Sequence, residues 1–440
     1  MVAHPPPAHS HASSPHGAPG PHAGGALELA ALRRMSQDEL CATAERLGVG
    51  DARELRRQEL VLAILEANAA RRGEAHAEGV LEILADGFGF LRNPELAYQP
   101  GIDDIYVSPS QIRRFAMRTG DMVRGTVRAP KETERYFALL RVEAVEGAAP
   151  EQHGQLVDFD ERPASPATRS FDLGAAAPAV RLADAWCPLG FGQRVLIKAP
   201  PRIGKTALCT ELARAIAAAH PSAVTTMLAV DLRPEDADEL RRALGERVLI
   251  STMDDPPARH VQLVEMVVGR GRRIAERGGD AIVLIDGVGR LARALNVVTP
   301  PSGRSLVGAV DVAAVGKLKR LLAGARALTG GGSLTIIATQ TVDSGARLDE
   351  VLADELTETA AVELVLDRAS TAAAGFPVLD TARSFTRHGE ALVEDADAWH
   401  RLLVAPVDRP QRAQVLAAVD ATRDRTGLIA ALVAALAPSP

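Results

Sequence analysis

Between Leu173 and about His388, short apolar runs alternate with stretches of helical periodicity. The runs are Arg194 to Lys198, Ala223 to Val230, Val248 to Ser251, Ala281 to Ile285, Ser333 to Ala338 and Ala361 to Leu366. A strand covered on both faces reads as a continuous apolar run, so the pattern predicts a mostly parallel sheet clothed by helices, an α/β domain. The Ala-rich stretch from Ala398 to Leu436 predicts further helices, which completes a domain over residues 171–440.

The pattern differs upstream. Over residues 76–147, short apolar and aromatic stretches (Val80 to Leu84, Gly87 to Leu91, Ile105 to Val107, Met122 to Val127, Tyr136 to Val142) are separated by Gly, Asp and Pro turns. That predicts a small antiparallel barrel. Residues 26–75 carry Leu29, Leu32, Leu40, Ala44, Leu47, Leu60, Ile64 and Leu65 at helical spacing, with Ser36 and Glu39 as a capping box, so a small helical domain is expected. Residues 148–170 read as a Pro/Ala linker, and residues 1–25, a Pro/His/Ala/Gly/Ser tract, are expected to be disordered.

Composition narrows the class. The chain has 440 residues, 47% of them hydrophobic, enough for several cores. No run reaches the roughly 18 apolar residues of a membrane span, and the N-terminus lacks a signal-peptide pattern. Three widely spaced cysteines, Cys41, Cys187 and Cys209, fit free thiols, so a cytoplasmic protein is expected. A formal charge of −6 excludes bulk electrostatic coating of nucleic acid, and any RNA affinity must come from a local surface and from stacking. Seven of the chain's aromatic residues, Phe88, Phe90, Tyr98, Tyr106, Phe115, Tyr136 and Phe137, fall in the barrel, where rings can stack unpaired bases. Phe115 and Phe137 are read as barrel core, and Phe88, flanked by Gly87 and Gly89 and close to Arg92, as a stacking platform. Cations are mostly Arg, so each Lys marks a place that needs a compact ammonium.

Ala199-Pro-Pro-Arg-Ile-Gly-Lys-Thr206 follows an apolar strand and opens a helical stretch. In that setting backbone N–H groups cradle phosphates, Lys205 reaches the terminal phosphate and Thr206 holds Mg²⁺. Ala281-Ile-Val-Leu-Ile-Asp286, a buried strand ending in a carboxylate, supplies the second Mg²⁺ partner. Ala199 stands where such loops usually begin with Gly.

These motifs identify a resemblance. Asp86-Gly-Phe-Gly-Phe-Leu-Arg92, Asp103-Asp-Ile-Tyr-Val-Ser-Pro-Ser-Gln-Ile-Arg-Arg114 and Glu134-Arg-Tyr-Phe-Ala-Leu-Leu140 are very similar to the RNA-binding domain of the bacterial transcription termination factor Rho family. The phosphate loop, Ser251-Thr-Met-Asp-Asp-Pro-Pro-Ala-Arg-His-Val261 and Gly330-Gly-Gly-Ser-Leu-Thr-Ile-Ile-Ala-Thr339 resemble its motor domain. The resemblance implies a RecA-like ATPase domain preceded by a helical domain and an OB or cold-shock-like barrel. It implies a primary site for C-rich single-stranded RNA at Gly87, Phe88, Gly89, Phe90, Leu91, Arg92, Asp104, Ile105, Tyr106, Glu134, Arg135 and Tyr136. For ATP it implies Gly190, Phe191, Gly192, Gln193, Arg194, Val195, Arg202, Ile203, Gly204, Lys205, Thr206, Ala207 and Arg233, with Phe376 stacking on adenine. Arg387 matches an arginine finger that acts on the neighbouring subunit's ATP, which implies a homo-hexamer. Arg304 and Arg347 match cations of a secondary RNA site in the ring's channel. RNA polymerase is the implied target.

The sequence also departs from the family. Relatives carry Asp-Glu-Arg-Pro-Glu-Glu where this chain reads Asp231-Leu-Arg-Pro-Glu-Asp236, and the missing Glu positions the attacking water. Loss of a general base costs ~10²- to 10⁴-fold, so slow hydrolysis is expected unless Asp231 or Glu235 substitutes. In the channel, Val307 and Ala309 replace Thr and Gly, and Thr357-Glu-Thr-Ala-Ala361 replaces Lys-Gly-Thr-Gly-Asn, which weakens the grip on a polyanion. Gly287 and Gly289 replace hydroxyl residues. Two readings follow: an ATP-driven RNA translocase and helicase that releases transcripts, or a paralogous RNA- and ATP-binding ring with weak hydrolysis and a regulatory role. A rotary-ATPase subunit would share the motor core without the barrel.

Overall fold

The computed structural model describes residues 27–437 except 72–74, 102–103, 129, 132–133, 307–309, 369–370, 372–378 and 406–410. The N-terminal tract, Phe376, Val307 and Ala309 therefore lie outside the described residues.

Three helices come first: α1 (Leu29–Arg34), α2 (Gln37–Arg46) and α3 (Arg57–Ala70). The capping box at α2 forms, with the Ser36 N–H donating to Glu39 Oε2 at 2.7 Å and the Glu39 N–H donating to Ser36 Oγ at 3.3 Å. Strands β1 (Ala75–Ile83), β2 (Gly89–Arg92), β3 (Ile105–Val107), β4 (Met122–Arg128) and β5 (Phe137–Val145) follow. They pair in the order β1-β2-β3-β5-β4, and β4 returns to β1, closing the barrel. Closure removes the free edges that an isolated sheet would expose. Leu40, Leu60, Ile64 and Leu65 of the helices pack in one core with Leu81, Leu91, Val107, Phe137 and Val145 of the barrel.

The larger sheet contains β6 (Arg194–Ala199), β7 (Val224–Leu232), β8 (Val248–Thr252), β9 (Asp280–Asp286), β10 (Ser333–Thr341), β11 (Val362–Val365) and β12 (Phe385–Thr386). Their order is β8-β7-β9-β10-β6-β11-β12, parallel except for the last pair. One face packs on helices Lys205–Ala219 and Pro234–Leu244, the other on Pro257–Glu276, Val288–Val298 and Val312–Ala323. In such sheets crossover loops gather at the strands' C-terminal ends, which is where ligands bind. Among the described residues no helix is long and apolar enough to cross a membrane, and all three cysteines are buried free thiols.

The barrel is seated on helix Pro257–Glu276. Gly120 (φ 96°) lies so close to Gly269 that a Cβ there would come within 2.4 Å of its carbonyl carbon. Glu276, with a side chain 1% exposed, receives Arg118 at 2.8 Å, Arg273 at 3.1 Å and the Phe159 N–H at 2.7 Å. Tyr98, grouped above with the barrel's aromatic residues, is buried with Val80 and Val267 in this joint, so its ring serves docking rather than stacking.

Candidate nucleotide and RNA sites

The turn from β6 into helix Lys205–Ala219 adopts left-handed backbone at Arg202 (φ 62°) and Gly204 (φ 92°), which bends the chain into an open loop. Lys205 Nζ donates to the carbonyls of Ala199 (3.0 Å) and Pro200 (2.9 Å), folding back over the loop it would leave to meet a phosphate. Burial pushes its ammonium below the usual value, while Asp286 and Asp349 oppose the shift. Thr206 Oγ1 lies 2.9 Å from Asp286 Oδ2, and Asp286 Oδ1 accepts from Thr339 Oγ1 at 2.6 Å. Arg290 Nη2 completes the group, 3.4 Å from Asp286.

These groups border a cavity of about 270 Å³, whose wall also includes Gly287, Gly289, Arg293 and Asp349. Among the described residues there is no cluster of three or more metal-binding side chains. The hydroxyl and carboxylate pair instead suits a hydrated Mg²⁺ that takes its remaining ligands from water and phosphate. Gly287 and Gly289 leave the space that side chains would fill: a Cβ on Gly289 would stand 3.0 Å from Asp349 Oδ1. Thr339, Asp349 and Arg293 were not singled out for roles in the sequence, because strand and helix positions far apart in the chain carry no local signal of convergence.

Not every residue matched to ATP comes to this cavity. Gly190–Val195 enter β6 at its start, whereas the phosphate loop leaves its end, about 20 Å away for six extended residues. There the Gly190 N–H donates to Gln193 Oε1 (2.8 Å), the Gly192 N–H to Thr335 Oγ1 (2.8 Å), and Arg194 to the carbonyls of Thr359 (2.7 Å) and Ala325 (2.8 Å). Phe191 stacks edge-on against Phe171 at 4.7 Å. Within one chain this segment braces the sheet. Ile203 is buried beneath the loop, Ala207 is exposed on the following helix, and Arg233, exposed, caps helix Pro234–Leu244. Leu232 is 5% exposed in the core with Ala237 and Leu240. Arg387 is exposed, and its N–H bonds the Ala361 carbonyl at 2.8 Å, at the same edge as Arg194 and opposite its own chain's phosphate loop.

On the barrel, Phe88, Phe90, Tyr106 and Tyr136 form one aromatic cluster. Phe88 lies 5.7 Å from Tyr106 and 5.8 Å from Phe90, and Phe90 lies 4.9 Å from Tyr136. Phe88, Tyr106 and Tyr136 keep part of their rings open, whereas Phe90 is 8% exposed and supports them. Arg92, matched to base reading, is 6% exposed and locked between Glu82 (2.6 Å) and Asp104, with its guanidinium 4.9 Å from the Phe90 ring centre. Its side chain therefore fixes the platform from below. Leu91 and Ile105 are core residues, and Gly89, also buried, leaves no room for a Cβ against the Glu82 carbonyl. Gly87 makes the left-handed turn (φ 84°) that presents Phe88. Arg135 sits 5.8 Å over the Tyr136 ring. The Arg128 guanidinium beside Glu134 pulls its carboxyl down to about 2, so it stays an acceptor at neutral pH. Phe137 is core, and Phe115 packs against that core. Arg304 and Arg347 are both exposed, the latter opening helix Arg347–Thr357.

Comparison with known proteins places both parts of the chain in known domain families. The Rho termination factor RNA-binding domain matches residues 77–151, its N-terminal domain residues 31–73, and the nucleotide-binding domain of the ATP synthase alpha/beta family residues 179–386. An ATPase of a bacterial type III secretion system shares the fold at a TM-score of 0.51 and 18% identity, covering 62% of this chain and 87% of its own. Transcription termination factor Rho of Escherichia coli is 41% identical over 87% of this chain and 93% of its own length. That of Chromobacterium violaceum is 43% identical over 83% of this chain and 89% of its own. The chain thus joins an RNA-binding barrel to an ATPase domain, and it belongs to the transcription termination factor Rho family.

Proposed function

We propose that this protein is an ATP-dependent RNA translocase and helicase that works as a homo-hexamer, loads on C-rich single-stranded RNA and releases it from RNA polymerase in the cytoplasm. The observation that carries the reading is the placement of Arg387. It is exposed, and it stands at the edge of the sheet opposite its own chain's phosphate loop. An arginine there has no triphosphate to act on in its own subunit, but a ring of identical subunits brings it to its neighbour's. Gly190–Val195 share that edge, so their match to ATP-contacting segments also makes sense across a junction.

Within the site, Lys205 and the loop N–H groups hold the phosphates, and Thr206 with Asp286 holds Mg²⁺. The metal supplies charge neutralisation to the leaving phosphate. On the barrel, partly open rings take stacked bases, and ionised Glu134 offers an acceptor to the amino group that distinguishes cytosine from uracil. Arg304 and Arg347 are the cations for RNA in the channel.

Leu232 favours a slower cycle than that of Glu-bearing relatives, and a ring that binds RNA and ATP with little turnover is its limiting case. The test is ATP turnover stimulated by polycytidylate, wild type against Leu232→Glu. Measurable stimulated turnover in the wild type, raised only severalfold in the variant, is the expected result. A wild type with no RNA-stimulated turnover would overturn the motor reading in favour of the binding ring.

A further inference from the structure

Leu232 has no proton-accepting group, but its neighbour does. Asp231 has left-handed backbone (φ 52°), a conformation that Asp and Asn tolerate better than most residues. The kink interrupts the alternation of β7. Met227, Ala229 and Leu232 pack on one face of the sheet, Leu228 and Val230 on the other, and the Asp231 side chain stays 33% exposed. Behind it stands His260, 5% exposed, with Nε2 3.9 Å from Asp231 Oδ1 and Nδ1 2.8 Å from Oγ of the fully buried Ser251.

Burial pushes the His260 imidazole below its usual value. Asp231 and Asp255 oppose that shift, and Arg259 and Arg290 add to it. A neutral imidazole that accepts from Ser251 carries its proton on Nε2, facing the carboxylate. Asp231 also lies near the Asp286 carboxylate. Ala229 lies opposite Asp286 on the adjoining strand, so Asp231 is one strand over and two residues further on, ~8 Å between Cα atoms. Arg290, which touches Asp286, also acts on His260, so the two clusters adjoin.

We propose that Asp231, oriented by His260 and Ser251, accepts the proton of the water that attacks the terminal phosphate of ATP, in place of the glutamate that relatives carry at position 232. The inference rests on the motor reading above. In the step, the water oxygen bonds to the γ-phosphorus while the bond from that phosphorus to the β,γ-bridging oxygen breaks. The electron pair leaves on ADP, and the water proton passes to Asp231 and then to solvent. His260 and Ser251 are positioning residues.

The experiment measures polycytidylate-stimulated turnover and ADP affinity on the full chain for wild type, Asp231→Asn, His260→Gln and the double variant Asp231→Asn with Leu232→Glu. Asn suits the left-handed backbone, so Asp231→Asn removes the base and keeps the turn. The expected result is a kcat lower by ~10²-fold or more with ADP affinity within about twofold, and recovery in the double variant. His260→Gln lowers kcat about tenfold with KM for ATP unchanged. Wild-type kcat in Asp231→Asn overturns the inference and leaves the motor reading standing. Loss of ADP binding along with kcat, or no recovery in the double variant, also overturns it by making position 231 structural. A wild type that never turns over brings down the motor reading and this inference together.

Discussion

Single side chains carry much of the account, and two of them illustrate what burial does to a polar group. Lys198 sits inside β6 with Nζ 2.5 Å from both Glu363 Oε1 and Thr357 Oγ1. Replacing it with Met leaves the Glu363 carboxylate buried without a partner, which costs about 3–5 kcal/mol and is read as a fall in the urea midpoint. The sequence signalled this position, because a lysine in an Arg-rich chain marks a need for a compact ammonium. Its partner was hidden, since Glu363 and Thr357 lie far downstream. Phe88 shows the opposite case, a ring left partly open. Phe88→Ala is expected to weaken oligo(C) binding by about 1–3 kcal/mol, measured by fluorescence anisotropy, with the thermal midpoint unchanged. Arg92 adds to the sequence reading: its motif marks it as an RNA contact, and the structure pairs its charge with Glu82 and Asp104. Motif position shows that a residue belongs to a site, but not whether it faces the ligand or the scaffold.

At the level of elements, periodicity located the strands because burial on both faces leaves an unbroken apolar run. The phosphate loop was legible for the same reason, since strand, loop and helix are contiguous in the chain. The joint between barrel and motor was not, because it is built from isolated charges such as Arg118 and Glu276, 158 residues apart. That joint is where RNA capture meets the ATPase sheet, and helix Pro257–Glu276 belongs to both: its His260 approaches Asp231 and its Glu276 anchors the barrel. Glu276→Ala takes the carboxylate from the buried Arg273 guanidinium and leaves Arg118 with Asp158. It is expected to destabilise the protein by about 3–5 kcal/mol in denaturant titration, and to expose the barrel–motor connection to limited proteolysis. An unchanged midpoint would mean that the other contacts of the joint, such as buried Tyr98 and the Arg270–Glu146 pair, hold the barrel.

For the whole molecule, a single chain is an incomplete machine. Its net charge of −6 leaves RNA binding to the barrel's rings and a few exposed arginines, and on the proposed reading its catalytic cavity takes its arginine finger from a neighbouring subunit. The resemblance proposes Arg387 as that finger and its placement at the far edge of the sheet suits the role, though no periodicity in the sequence encodes that placement. Mixing two inactive variants tests this directly. Arg387→Ala keeps a sound phosphate loop, Lys205→Ala keeps a sound finger, and each alone should form rings without turnover. Co-assembled, they create junctions in which a Lys205-bearing loop faces an Arg387-bearing edge, and polycytidylate-stimulated ATP turnover should reappear. If mixed rings, verified by mass, remain as inactive as either parent, the nucleotide is not shared between subunits and the account is wrong.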